Sequence, residues 1–261
     1  MKFLLFLRDA FFKILRLLGI VAVLYAGIVV YLMLSERRTA FPRAVADSKA
    51  RTFIEASRYA AECRLQDGLV LHGWDTHPEA PHTLVYFPDQ NEDAASFLAD
   101  MKLAKSIRSV AFNYRGSGGD NSGTPSEKFA MRDAEDILKC ALSLSGSVSL
   151  AGRGTGAIYA FNLAARPEVS RVILIDPVPS IAAAISDKYR VLFPRFLIRT
   201  QTRLETVPGR LPGAIYIIED RTEKRKLVEE TKQFIGSLPV LPLRRGGGTL
   251  ESVIQPLFTM N

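Results

Sequence analysis

A chain of 261 residues that is 48% hydrophobic has enough apolar content for one large α/β domain with a buried core. Its formal charge of +7 would suit a nucleic-acid binder if the charge were spread evenly. Residues 1–43 hold seven Lys/Arg and two Asp/Glu, a net +5, which leaves about +2 for everything after them and argues against a nucleic-acid surface.

The chain opens with an amphipathic lead-in, residues 1–16, where Asp9, Lys13 and Arg16 fall on one face of an otherwise apolar run. Residues 17–34 carry no charge. As a helix they extend about 27 Å, close to the hydrocarbon thickness of a bilayer. Arg16 closes the stretch on one side and Glu36-Arg37-Arg38 on the other. This predicts an uncleaved, single-pass transmembrane helix whose partner is the lipid bilayer, since a signal peptide has a shorter apolar core and a small-residue cleavage site. Lys2, Arg8, Lys13 and Arg16 on one flank balance Arg37, Arg38, Arg43 and Lys49 on the other, so charge leaves the orientation open. Residues 35–56 read as a polar, basic linker or first helix.

The globular part, 57–261, alternates strands with helices. Tyr59–Leu65 and Leu69–Trp74 are strand-like and meet at Gln66-Asp67-Gly68, a hairpin signal. Thr83–Phe87 and Val110–Tyr114 are strands separated by a helical stretch, Asp93–Ser106. A helix from Ser126 to Leu144 precedes the strand Val148–Ala151. Arg171–Ile175, Ala214–Ile218 and Val240–Leu243 are further strands, with a charged helix from about Glu223 to Ile235 and a short one ending near Phe258. Such alternation predicts a doubly wound, mostly parallel sheet with an antiparallel hairpin at one edge. Two cysteines, Cys63 and Cys140, lack CxxC or metal-ligand spacing. They read as buried thiols rather than a disulfide framework, and no metal or cofactor is expected.

The pattern centres on Gly152-Arg-Gly-Thr-Gly156, between the strand ending at Ala151 and a helical run to Ala165. Strand, glycine turn and helix fit three readings. One is a nucleophile elbow, G-x-S-x-G, with Gly154 in place of the Ser. Another is a dinucleotide fingerprint through Gly152, Gly154 and Ala157, with Asp176 near the ribose-binding spacing. The third is a structural turn without chemistry.

Residues 112–127, FNYRGSGGDNSGTPSE, with Val172-Ile-Leu-Ile-Asp-Pro177 and Tyr189-Arg-Val-Leu-Phe-Pro194, resemble the α/β-hydrolase superfamily. The similarity is to its membrane-anchored branch with serine aminopeptidase-like and dienelactone-hydrolase-like members, and it covers most of residues 55–258. The resemblance implies an α/β-hydrolase fold, a short cap at about 178–210 and a bacterial-type inner-membrane anchor. It also implies a triad from an elbow Ser, an acid after the strand at 214–218 and a His after the last strand. Every triad position departs from this: Gly154 stands for the nucleophile, Thr222 for the acid and Thr249 for the His. The only histidines are His72, His77 and His82, so no base follows the elbow. Thr155 and Asp220 are the fallback catalytic candidates. Ser117 and Ser122 read more simply as loop hydroxyls. Gln90 and Thr155 stand at the oxyanion-loop positions, where Pro88 has no N–H to give and Asp89 would oppose an oxyanion if it turned inward.

Arg115 reads as a brace for its turn through backbone carbonyls, and Arg153 has no assigned role. Arg195, Arg199 and Arg203, at i, i+4 and i+8, would share one face of a helical cap and form a candidate contact for an anion or an anionic membrane. These features together predict a membrane-anchored hydrolase-fold protein without hydrolase chemistry, binding a ligand, lipid or partner near a membrane. A serine-type hydrolase with a displaced centre is the alternative, and a dinucleotide-binding domain the third.

Overall fold

A computed structural model describes residues 2–101, 104–119, 121–205, 215–220, 224–236, 240–244 and 248–259. The first element, α1 (Lys2–Ala40), is one continuous helix that carries on six residues past the charge-free stretch. Its segment Ala10–Ala40 is long and apolar enough to cross a membrane. Most of its apolar side chains from Phe11 to Leu34 stay exposed, whereas Leu32 and Ala40 are buried against the domain.

Next come α2 (Ser48–Phe53), β1 (Ala60–Arg64), β2 (Val70–Thr76), β3 (His82–Phe87), α3 (Ala94–Asp100), β4 (Ile107–Phe112) and α4 (Glu127–Leu142). The second half adds β5 (Val148–Arg153), α5 (Gly156–Asn162), β6 (Val169–Ile175), α6 (Ile181–Tyr189), β7 (Ile215–Glu219), α7 (Arg225–Ile235), β8 (Val240–Arg244), α8 (Leu250–Ile254) and α9 (Pro256–Thr259). The sheet order is β1-β2-β4-β3-β5-β6-β7-β8. From β4 through β8 neighbouring strands are parallel, and β2 runs antiparallel to both β1 and β4.

The central strands read as near-continuous apolar runs because helices cover both faces. Along β3 the side chains alternate: Val85 and Phe87 enter one core layer with α4 and α5, while Leu84 and Tyr86 enter the other with α3, α8 and α9. Consecutive parallel strands all end on one edge of the sheet, which therefore collects the loops after β3, β5, β6 and β7.

Two sequence expectations need correction. Cys63 and Cys140 are not free thiols; they form a disulfide joining β1 to α4. Packing of α4 on β1 brings their Cα atoms to 5.8 Å, a proximity that a separation of 77 residues does not reveal. The cap is not one helix. After α6 it breaks into short 3₁₀ turns, Arg190–Leu192 and Arg195–Leu197, and then extends, with Ser180 bridged to Arg203. Arg195, Arg199 and Arg203 therefore share no helical face. Residues 44–51, part of the stretch read as a linker or first helix, are held to the domain: Ala44 N donates to Ser117 Oγ (3.1 Å), Gly118 N donates to Ala44 O (2.8 Å), and Arg51 pairs with Asp93.

Candidate functional site

The turn between β5 and α5 has the backbone of an elbow. Gly154 adopts φ +54°, a left-handed conformation that strains any residue with a Cβ, and its N–H donates to Ile175 O of β6 (2.9 Å). Gly152 and Gly156 are required by packing. A Cβ on Gly152 would run into the Gly156 carbonyl, and one on Gly156 into the carbonyls of Phe87 and Pro88. The glycine spacing thus has a steric cause that needs no phosphate, and the sheet order is not the 3-2-1-4-5-6 of dinucleotide-binding folds.

Asp89 dominates this turn. It follows β3, whose Phe87 lies beside Gly152 in register, so the loop arrives directly over the elbow. The Asp89 side chain points inward. Its Oδ1 accepts from Thr155 N (3.0 Å), Thr155 Oγ1 (2.8 Å) and Gln90 N (2.9 Å). The two amides expected as oxyanion donors, those of Gln90 and Thr155, therefore converge on one oxygen, and that oxygen belongs to the chain. A Cβ placed on Gly154 would lie 2.6 Å from the same carboxylate. Asp89 fills both the space of an elbow side chain and the reach of the neighbouring donors.

Beneath Asp89 lies a buried polar cluster. Arg153, 6% exposed, pairs with Glu92 and reaches Asp220 Oδ2 at 3.5 Å. Glu92 Oε2 accepts from Tyr86 OH (2.6 Å) and Asp89 N (3.0 Å), which fixes the loop. Burial alone would lower the pKa of Arg153, but Tyr86 and the carboxylates of Glu92, Asp220 and Asp100 outweigh it, so the pKa rises and the guanidinium stays charged. Burial and the adjacent Glu92 push the Tyr86 phenol well above its ordinary value, so it stays a donor. Asp220, a fallback acid, is thus engaged with Arg153, and its N–H donates to Asp176 Oδ1 (2.8 Å).

The remaining sequence candidates are dispersed. Thr222 lies outside the described residues. Thr249 is exposed and caps α8, its Oγ1 accepting from Ser252 N (3.3 Å). His82 begins β3, five residues before Phe87, and so lies about 17 Å from the elbow edge. His77 follows β2 at that same far end, and His72, on the outer side of β4, faces Glu62 at 3.6 Å. Among the described residues no group of three or more His, Cys, Asp and Glu side chains is arranged to hold a metal. Arg195 pairs with Glu230 of α7 (2.8 Å), the Arg199 amide donates to Glu36 and the Arg203 carbonyl accepts from Asn162. Arg115 does brace its loop, but through Asp133 of α4, Asp67 of the hairpin turn and the ring of Phe129 rather than backbone carbonyls.

Above Thr155 the space is small. Phe41 and Pro42, just past the end of α1, roof a cavity of about 30 Å³ lined also by Gln90, Thr155, Tyr159 and Ile181. That is room for a water, whereas small-molecule sites usually run to about 300–1,000 Å³. Sequence reasoning missed this roof, together with Glu92 and Tyr86. The one available signal was Glu92 three residues after Asp89, a spacing that suits a side chain reaching back to cap the loop.

No protein-family model and no curated protein matches the chain. Solved structures do. An α/β hydrolase of Vibrio vulnificus superposes with a TM-score of 0.66 at 17% identity, over 88% of this chain and 90% of that one. An esterase of Pyrococcus furiosus gives 0.57 at 12% identity, over 84% and 91%. The bottromycin epimerase BotH, solved with bottromycin A2, gives 0.55 at 16% identity, over 77% and 98%. Strand order, elbow and these likenesses define an α/β-hydrolase fold.

Proposed function

We propose that this is a membrane-anchored α/β-hydrolase-fold domain that binds a ligand, lipid or partner beside the bilayer without hydrolysing it. The carrying observation is Asp89, whose Oδ1 takes the amides of Gln90 and Thr155 and whose carboxylate lies where an elbow side chain would project. Acyl transfer needs those donors for a developing oxyanion, and a fixed carboxylate there opposes negative charge. It also needs a nucleophile with a base in reach, and the elbow offers Gly154 with its histidines elsewhere. The fold is no obstacle to a role other than hydrolysis, as the epimerase neighbour illustrates.

The anchor is α1, which holds the domain against lipid. The Cys63–Cys140 disulfide supports an oxidising compartment for the domain, and so supplies the orientation that the flanking charges leave open.

One observation favours a second reading, a hydrolase with a displaced centre. Thr155 Oγ1 sits at the elbow and donates to a carboxylate, as a nucleophile would to a base. The difficulty is that the same carboxylate occupies the donors that such a reaction requires. Labelling of the purified full-length chain with a fluorophosphonate, followed by peptide mapping, separates the readings. The proposal expects no adduct; an adduct on Thr155, lost in Thr155→Val together with ester turnover, would establish the enzyme.

A further inference from the structure

The cap and α1 share a seam that runs deep into the charge-free stretch. At its upper end Glu36 is buried, and its Oε1 accepts from Arg199 N (2.7 Å), Thr200 N (2.8 Å) and Thr200 Oγ1 (2.9 Å). Further down, the Tyr25 hydroxyl donates to the Val191 carbonyl (2.7 Å). Nine residues separate Tyr25 from Leu34, so this contact lies about 14 Å along the helix axis inside the uncharged segment. Sliding the span toward the N-terminus would not avoid this cheaply, because it would draw Lys13 and Arg16 into hydrocarbon. A span held at residues 17–34 takes the edge of the cap with it.

That edge is apolar and exposed. Val191 is 78% exposed and Phe196 85%, with Leu192 beside them, and Tyr25 sets Val191 against α1, whose apolar residues Leu24, Ile28 and Tyr31 are also exposed. Lys188, Arg190 and Arg195 flank the ridge, and Arg195 is paired with Glu230 of α7 (2.8 Å). Backbone groups at membrane depth must find partners within the protein. The Val191 carbonyl does, in the one hydroxyl that α1 presents there, and the Arg190 carbonyl accepts from Phe193 N (3.3 Å).

We propose that Val191, Leu192 and Phe196 form a lipid-immersed surface of the cap, sunk below the phosphate level of the same bilayer that α1 spans. The occupant of this surface is acyl chain and lipid interface rather than a protein partner. The proposal rests on α1 being the membrane anchor, and the test separates the two. Full-length protein is reconstituted in vesicles and extracted with carbonate. A Trp is then placed at Phe196→Trp, at Val191→Trp and at the exposed control Val45→Trp, each in a Trp74→Phe background, and acyl-brominated lipids are used as quenchers. The expected result is a carbonate-resistant protein in which Trp emission at 196 and 191 is quenched several-fold more strongly than at 45. A carbonate-resistant protein whose three positions quench alike would overturn the immersed cap and leave the anchor standing. Release by carbonate would overturn both.

Discussion

Two glycine-rich loops lie at the carboxyl edge of the sheet, after β4 and after β5, on either side of the loop that follows β3. Each encloses a buried arginine. In the loop after β4, Arg115 is clasped by Asp133 and Asp67 and stacked on Phe129, and Asn121 ties the turn to the carbonyl of Asn113 and the amide of His72. Every one of these groups serves the fold, and this loop carries the strongest sequence resemblance. In the turn after β5, the backbone is that of an elbow, but the side chains that face it are acidic rather than catalytic in pattern. Gly154 presents no side chain, and Asp89 turns in to take the donors. The comparison teaches that interlocked buried pairs hold both loops, because loosening a pair costs stability whether or not a reaction depends on it.

The comparison is broken most forcefully at its arginines. Arg153→Met should destabilise the protein by about 3–5 kcal/mol, because it leaves the carboxylates of Glu92 and Asp220 near each other without the intervening cation. Arg115→Met should cost a similar amount through Asp133. Thermal and denaturant unfolding of both variants checks this. A loss confined to Arg115 would mean that the elbow cluster is not part of the scaffold.

The next effect is smaller and specific to the elbow. Gly154→Ala should cost about 1–3 kcal/mol, from positive φ and from the Cβ meeting Asp89. In an Asp89→Gly background only the backbone strain remains, so a double-mutant cycle should show positive coupling between the two positions. Strictly additive costs would mean that Asp89 does not occupy the space above Gly154.

The smallest effect distinguishes the other loop by pH. At Asp67 burial works upward, but the Leu69 amide and Arg115 outweigh it and hold the carboxyl below its ordinary value. A carboxyl depressed on folding stabilises the native state above its unfolded pKa of about 3.9, and that contribution disappears as pH falls through the lower folded value. Asp133 works in the opposite sense, since burial raises it despite Arg115. The stability difference between wild type and Asp67→Asn should therefore shrink as pH is lowered from neutral into the acid range, and a constant difference would contradict the pairing.

The sequence carried much of this fold because its signals are local. Alternation of strand and helix, the hairpin at Asp67-Gly68 and the glycines of the elbow each express a backbone requirement that leaves a mark within a few residues. The glycine at position 154 and the place of all three histidines ahead of the elbow in the chain were equally legible, whereas where those side chains stand in space was not. What escaped is relational. The inward rotamer of Asp89 depends on donors sixty-six residues away. The Cys63–Cys140 bond depends on how α4 packs on β1. The arginine spacing in the cap assumed a continuous helix, whereas a left-handed Arg190 and Pro194 break it. No periodicity in α1 indicated that Tyr25 and Glu36 would each hold part of the cap.

The central claim is that the chain's own carboxylate serves as the anion for the elbow amides, and it can be tested by removing that carboxylate and offering another. Asp89→Gly leaves the amides of Gln90 and Thr155 without their shared acceptor and should lower stability by about 2–3 kcal/mol. Thermal melting of wild type and Asp89→Gly across a series of acetate or formate concentrations, at constant ionic strength, is the decisive measurement. The account predicts that the added carboxylate restores much of the lost stability in Asp89→Gly and leaves wild type unchanged. An Asp89→Gly protein as stable as wild type and indifferent to acetate would contradict it.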